Sequence, residues 1–166
     1  MILNKEQIRE LIIEHDLVTN YVDLEKQLQP NGFDLTVEEM IGFHPEPRNE
    51  IRFESKNIDR REVIYFGHIF NWLDFPRGIY KFKINETIKL PSNICAISTQ
   101  RSSIMRMGNI CNVGFWDSGY HGSGYSIIKI NNPVRIYKNA RLIQLYFFEM
   151  EETKEPYNGN YQKENV

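Results

Sequence analysis

The sequence predicts a mainly β domain, an all-β barrel or double-sheet sandwich, with one short helix at its N-terminus. Three observations lead there. Seven short runs rich in β-branched and aromatic residues follow residue 50. Turn signals separate several of them, as a chain of many short strands requires. Apolar residues at helical spacing are readable at the start of the chain.

The helix comes first. Asn4 stands at the N-cap position and Gln7, three residues on, completes a capping box. Ile8, Leu11, Ile12 and His15 share one helical face, which is expected to meet the body of the protein. Gln29-Pro30-Asn31-Gly32 then breaks the chain, because proline and glycine both resist regular structure there. The expected strands are residues 51–54, 63–66, 79–83, 94–98, 125–130, 134–137 and 142–148. Pro76-Arg77-Gly78, the 89–93 segment and Asn131-Asn132-Pro133 punctuate them. Residues 39–61 are charged and irregular and read as a surface excursion. The tail 151–166 is polar and could be disordered alone. A sheet-rich chain has edges to protect, and oligomerisation is one way to do so.

At 166 residues the chain suits one domain with a real core. With 13% aromatic residues and a net charge of only -2, it does not resemble a disordered chain. That balance gives no basic field for nucleic acid, so a polyanionic small ligand would have to be met by a few local cations. The cysteines, Cys95 and Cys111, form no Cys-x-x-Cys pair, which argues against a cysteine-rich zinc site and suits a reducing cytosol. Charges stand where a signal peptide would need an apolar run. No stretch approaches the roughly 18 apolar residues of a spanning helix. A soluble, cytoplasmic protein with no membrane partner is expected.

Four segments carry chemistry. Gln100-Arg101-Ser102-Ser103-Ile104-Met105-Arg106 follows a strand with arginines and hydroxyls suited to phosphate oxygens. A helix start with solvated arginines would use the same residue types. Residues 114–122 set Asp117 among aromatics and glycines at a bend, where it could hold a water or act as a base. A turn aspartate bonding its own backbone is the common alternative. Residues 29–37 form a turn entering a strand, and Asp34 at that junction reads as structural. Pro156-Tyr157-Asn158-Gly159-Asn160-Tyr161-Gln162 could fold over a ligand and stack on a base, or fray. His44-Pro45-Glu46 fits half of a zinc deaminase signature, but the Pro-Cys-x-x-Cys half is absent. There is no phosphate loop, dinucleotide fingerprint or nucleophile elbow.

Taken in order, these segments resemble the dCTP deaminase/dUTPase superfamily, especially its short archaeal-type dUTPases. Residues 29–35 look like the first motif, and 86–91 like the strand leading to the second. Arg101-Ser102-Ser103-Ile104-Met105-Arg106 matches the Arg-Ser-Ser-x-x-Arg phosphate motif. Trp116-Asp117-Ser118-Gly119-Tyr120-His121-Gly122 resembles the Ile-Asp-x-Gly-aromatic-x-Gly motif, with Trp116 replacing isoleucine. Residues 137–145 fit the Arg-Ile-x-Gln strand, and 156–162 the C-terminal lid. The resemblance implies a distorted β-barrel or jelly-roll subunit (the β-clip) over residues 1–150, with 151–166 as the lid of the same domain. It implies a homotrimer whose active sites lie between subunits, one supplying the Arg-Ser-Ser segment and its neighbour the Asp117 hairpin. Mg²⁺ would be held through the triphosphate rather than by protein metal ligands.

The activity implied is hydrolysis of dUTP to dUMP and pyrophosphate. Asp117 would orient or deprotonate the water. Arg101, Ser102, Ser103 and Arg106 would hold the phosphates. Tyr120, Tyr125, Ile127 and Gln144 would surround the nucleoside, Tyr120 packing beneath the deoxyribose. Tyr157, Tyr161 and Gln162 would belong to the lid. The alternatives are dCTP deamination and a non-catalytic nucleotide sensor. The family's deaminases place a glutamate on the hairpin near the position of Ile127, and residues 118–148 contain no Asp or Glu. In the lid, Asn160 and Glu164 stand where the family often has lysine and glutamine.

Overall fold

The computed structural model describes residues 1–43, 50, 51, 56, 57, 62–66 and 71–166. Helix α1 (Lys5–His15) begins with the expected capping box. Gln7 N–H donates to Asn4 Oδ1 at 2.9 Å, and Asn4 N–H donates to Gln7 Oε1 at 3.0 Å. Ile8 and Ile12 are buried. His15 is exposed, contrary to the expected face. The helix ends there because Asp16 turns left-handed at φ 56°, which sends Leu17 and Val18 into the core.

Strand β1 (Val18–Thr19), helix α2 (Leu24–Gln27), β2 (Leu28–Gln29) and β3 (Gly32–Phe43) follow. Pro30-Asn31 is the turn of a tight hairpin that sets Gln29 opposite Gly32. β3 runs for 12 residues and is buried along most of its length. The surface excursion expected from residue 39 is therefore wrong at its start. Met40 and Ile41 are buried, and the strand continues to Phe43. Just before that segment, Glu38 is held by Lys83 Nζ at 2.8 Å on a neighbouring strand.

Strands β4 (Glu50–Ile51) and β5 (Lys56–Asn57) pair with each other, and β6 (Glu62–Phe66) pairs with β3. Of the expected strand 51–54, only Ile51 is among the described residues, and His44-Pro45-Glu46 also lies outside them. Then come β7 (Trp72–Phe75), β8 (Gly78–Ile84), β9 (Thr87–Lys89), β10 (Ile94–Gln100), helix α3 (Ser102–Arg106), β11 (Ile110–Cys111), β12 (Gly114–Trp116), β13 (His121–Gly122), β14 (Tyr125–Ile130), β15 (Val134–Tyr137) and β16 (Arg141–Glu149). The expected strands from 79 to 148 are present, β11, β12 and β13 were too short to stand out, and β7, as long as β15, was not expected.

The main sheet runs β11-β14-β8-β3-β16-β10-β12, with β2 and β6 also on β3. Its pairings are antiparallel, and it curls into a half-barrel. A smaller sheet, β1-β9-β13, carries the bend that follows β12. Phe33, Phe82 and Phe147 fill the interior with Leu35, Ile84 and Ile128. Burying one such side chain stabilises the fold by about 1.5–3 kcal/mol. Among the described residues, no helix is long and apolar enough to cross a membrane.

One buried carboxylate ties this interior together. Glu86 is fully buried and accepts from Thr36 N–H at 3.0 Å, Thr36 Oγ1 and Gln27 Nε2. Burial pushes its carboxyl up from the ordinary range, and the bonds from Thr36 and Gln27 pull it back. Glu86→Gln turns an amide donor toward donors. It is expected to cost about 1–3 kcal/mol in urea unfolding. A raised folded pKa means the native state holds its proton longer than the unfolded chain. That contribution is complete below the unfolded pKa and is lost as pH rises through the folded one. The gap between wild type and Glu86→Gln is therefore expected to be larger at pH 4.5 than at pH 8, and a gap that widens with pH would contradict the raised value.

Candidate active site

Asp117 closes β12 and opens a tight bend. Tyr120 N–H donates to its backbone carbonyl at 3.1 Å, and Gly119 lies left-handed at φ 84°. Two more bonds fix the bend to the chain beyond β9: Gly119 N–H to Leu90 O at 3.1 Å and Leu90 N–H to Tyr120 O at 2.8 Å. Tyr120 is buried and meets Trp116 edge-on, with ring centroids 5.2 Å apart. Burial, and then the charge of Glu164, push its phenol well above its ordinary value. The phenol is thereby kept neutral. Gly124 lets Trp116 lie against the hairpin, since a Cβ there would come within 2.9 Å of Trp116 Cη2.

These groups line a cavity of about 460 Å³. Trp116, Tyr120, Tyr125, Ile127, Tyr157 and Tyr161 give it apolar and aromatic walls, while Asp117 and Glu164 bring carboxylates. Among the described residues no lysine or arginine lines it, and Lys81 Nζ lies 4.4 Å from the centroid of the Tyr125 ring. Such a chamber suits a sugar and a flat base. A larger groove of about 650 Å³ lies beside α1, but Glu10, Glu14, Asp16 and Glu149 make it less suited to a polyanion.

In the folded chain, residues 157–165 of the tail bond to the hairpin of their own chain. Tyr157 N–H donates to Ser118 O at 2.8 Å, Lys163 N–H to His121 O at 2.7 Å, and Ser123 N–H to Glu164 O at 2.8 Å. The Gln162 amide bonds His121 N–H and Gly119 O, both at 2.9 Å. Tyr157 packs on Tyr120 with centroids 5.8 Å apart. Tyr157 and Tyr161 thus cover the cavity and Gln162 fastens the cover. Glu164 is carried into the lining, while Asn160 is exposed.

The Arg-Ser-Ser segment lies elsewhere. Arg101 is the N-cap of α3, Ser102 and Arg106 are exposed, and Ser103 is half-buried. None of them lines the cavity. Arg101 Nε lies 2.9 Å from Asp34 Oδ2, and Arg141 Nη1 lies 3.3 Å from the same oxygen. Burial pushes the Asp34 carboxyl up, and the two guanidiniums pull it back. Gln144 also lies apart from the cavity, in β16 opposite Asp34 and Thr99. The structure thus joins Asp117, Tyr120, Tyr125, Ile127 and the lid residues, but sets Arg101, Ser102, Ser103, Arg106 and Gln144 outside their chamber. Sequence reasoning took Asp34 as a junction residue and missed Arg141. The available signal was a carboxylate among strand-forming apolar residues, which needs a cationic partner when buried. Among the described residues, no group of three or more acidic, histidine or cysteine side chains could hold a metal ion.

Residues 2–150 match the family model described as dCTP deaminase-like. The chain is 34% identical to a probable deoxyuridine 5'-triphosphate nucleotidohydrolase of Archaeoglobus fulgidus, over 99% of this chain and 98% of the relative. It is 32% identical to a dUMP-forming dCTP deaminase of Persephonella marina, over 98% and 92% of the two chains. Its fold is similar to that of a 2'-deoxycytidine 5'-triphosphate deaminase of Agrobacterium tumefaciens, with a TM-score of 0.67 and 23% identity. That match covers 88% of this chain, which spans about half (47%) of the larger protein.

The cover depends on Gly119. A Cβ at this position would run into Pro156 and come within 3.0 Å of Tyr157 N, besides straining the left-handed backbone. Gly119→Ala is expected to release residues 156–165 while leaving the barrel folded. Hydrogen exchange should then speed up at Tyr157 and Lys163 and stay slow in β3. Unchanged protection of the tail would show that Gly119 does not set its path.

Proposed function

Since the chain belongs to the dCTP deaminase-like family, we propose that it hydrolyses dUTP to dUMP and pyrophosphate in deoxynucleotide metabolism, as a homotrimer with active sites shared between neighbours. One observation carries the reading: among the described residues no lysine or arginine lines the aromatic chamber, and the Arg-Ser-Ser segment lies outside it. A nucleotide needs both. The chamber of one subunit takes the deoxynucleoside, and the segment of a neighbour takes the phosphates. The near full-length likeness to an archaeal relative named for dUTP hydrolysis supports this.

The chain from α3 to β12 also carries apolar side chains that favour assembly. Met105, Met107, Ile110, Val113 and Phe115 are all more than half exposed. Phe115 lies on β12 and Ile110 on β11, the two ends of the main sheet path. Exposed apolar side chains concentrated along one segment mark a surface that another protein covers, and sheet edges invite the same.

In this site Asp117 holds a water in line with the α-phosphorus. The water oxygen bonds to that phosphorus as the bond to the bridging oxygen of the β-phosphate breaks. The water's proton passes to the Asp117 carboxylate, and pyrophosphate leaves. Arg101, Arg106, Ser102 and Ser103 meet the phosphate oxygens as charge shifts onto them. Tyr120 packs against the deoxyribose, and Tyr125 and Ile127 line the chamber beside it. The donors in the Arg-Ser-Ser segment suit phosphate oxygens rather than a metal, so Mg²⁺ belongs to the substrate and would offset triphosphate charge. Both cysteines are free, which accords with a cytoplasmic enzyme.

One observation favours the deaminase reading. The hairpin has no acid where Ile127 stands, yet the tail brings Glu164 to the same chamber. A carboxylate there could relay a proton between water and a pyrimidine ring.

The decisive assay incubates the protein with Mg²⁺ and either dUTP or dCTP, measuring pyrophosphate and ammonia separately. The expected result is pyrophosphate from dUTP without ammonia from dCTP. Ammonia from dCTP that is lost in Glu164→Gln would establish the deaminase instead. Asp117→Asn is expected to stop turnover while nucleotide binding survives, and retained turnover would remove Asp117 from its role. Phe115→Asp is expected to move the sedimenting species from a trimer to the 19.7 kDa chain and to abolish activity with it. An active monomer would refute the shared site.

A further inference from the structure

Asp34 is nearly fully buried, with its side chain 2% exposed, although it belongs to neither the chamber nor the Arg-Ser-Ser segment. A carboxylate taken out of water at that depth costs several kcal/mol unless it is paired and hydrogen-bonded. Its partner is the first arginine of the phosphate segment. Arg101 Nε lies 2.9 Å from Asp34 Oδ2, and Arg101 Nη1 donates to Arg141 O at 3.3 Å. Arg141 in turn places Nη1 3.3 Å from the same Oδ2 and 2.5 Å from Lys26 O. A guanidinium has five N–H donors in a rigid fork. These contacts commit two on Arg101, and its side chain is still 27% exposed, so the other donors remain available to a ligand.

We propose that Asp34 is a positioning residue for the phosphate site: with Arg141, it fixes the Arg101 fork from behind so that its uncommitted N–H donors are held ready for the phosphates of the nucleotide. This rests on the reading of Arg101 as a phosphate ligand. The physical advantage is preorganisation. An arginine side chain carries about 2 kcal/mol of rotamer entropy. Holding Nε before the ligand arrives removes much of the ordering that binding would otherwise demand. The arrangement joins three distant parts of the chain: Asp34 from β3, Arg101 from the end of β10 and Arg141 from the start of β16. All three strands are neighbours in the sheet, in the order β3-β16-β10. The same framework that builds the half-barrel therefore aims the cation.

The test compares wild type with Asp34→Asn in the full-length protein. Its readouts are kcat and KM for dUTP with Mg²⁺, the inhibition constant of deoxyuridine, which carries no phosphate, and the thermal midpoint. Asp34→Asn is expected to raise KM for dUTP about tenfold, the scale of one weakened charge-assisted bond, while deoxyuridine inhibition stays within about twofold. A lowered midpoint with unchanged KM would make Asp34 purely structural and overturn the proposal, as would equal weakening for dUTP and deoxyuridine. Should Asp34→Asn fail to fold, wild type provides a second readout. The Arg101 Nε–H resonance, assigned by its loss in Arg101→Lys, is expected to be slow to exchange and to stay in place when inorganic pyrophosphate is added. Fast exchange would overturn the proposal. Absence of dUTP turnover by wild type would remove the hydrolase reading itself, whereas normal turnover with an unaffected Asp34→Asn would remove only this inference.

Discussion

The burial of β3 is the constraint on which the rest depends. This strand pairs with β2, β6, β8 and β16, so its polar groups have little access to water. Each must find a partner inside the protein. Thr36 meets Glu86, which also takes the amide of Gln27 from α2. Asp34 meets Arg101 and Arg141. Satisfying two polar side chains on one strand thus determines where α2, the β8–β9 turn, the end of β10 and the start of β16 must lie. No buried side-chain nitrogen or oxygen among the described residues is left without a partner.

From that frame the chemistry divides. The small sheet β1-β9-β13 holds the bend after Asp117, and the tail closes over it through backbone bonds. The resulting chamber is aromatic and brings the carboxylates of Asp117 and Glu164 into its lining. The arginines of the Arg-Ser-Ser segment lie outside its lining. An enzyme assembled from one such chain would keep its nucleoside and phosphate sites apart. The proposed symmetric assembly would bring the chamber of one subunit to the cations of the next and would cover exposed apolar surface as it does so. Arg101 would serve both sides of this proposed arrangement, since its bonds to Asp34 and the Arg141 carbonyl satisfy the fold and its other donors are left for a ligand.

The amount legible in the sequence differed between elements for physical reasons. The capping box of α1 was legible because it is made by residues three positions apart. β14 and β15 were predicted to their observed ends because turn residues bound them locally. β3 was read only at its entry, since a strand buried through most of its length shows no alternation and its acids suggested a solvated loop. β11, β12 and β13 have two or three residues each and exist only because longer neighbours pair with them. The tail is polar and taken alone suggests disorder. Its order comes from hairpin groups some forty residues earlier, such as Gly119 O and His121 N–H.

The sequence by itself determined the β class, the helix cap, the order of the motifs and the presence of Asp117 beside a bend, because each is written in residues that are near neighbours along the chain. Only the tertiary structure decided which of those residues share a chamber. It set Gln144 and the Arg-Ser-Ser segment apart from Asp117, brought Glu164 in through the tail, and turned Asp34 from a junction residue into the partner of two arginines. These outcomes follow from pairing between strands far apart in the chain and from the cost of burying a charge without a partner. Neither can be evaluated until the sheet has closed.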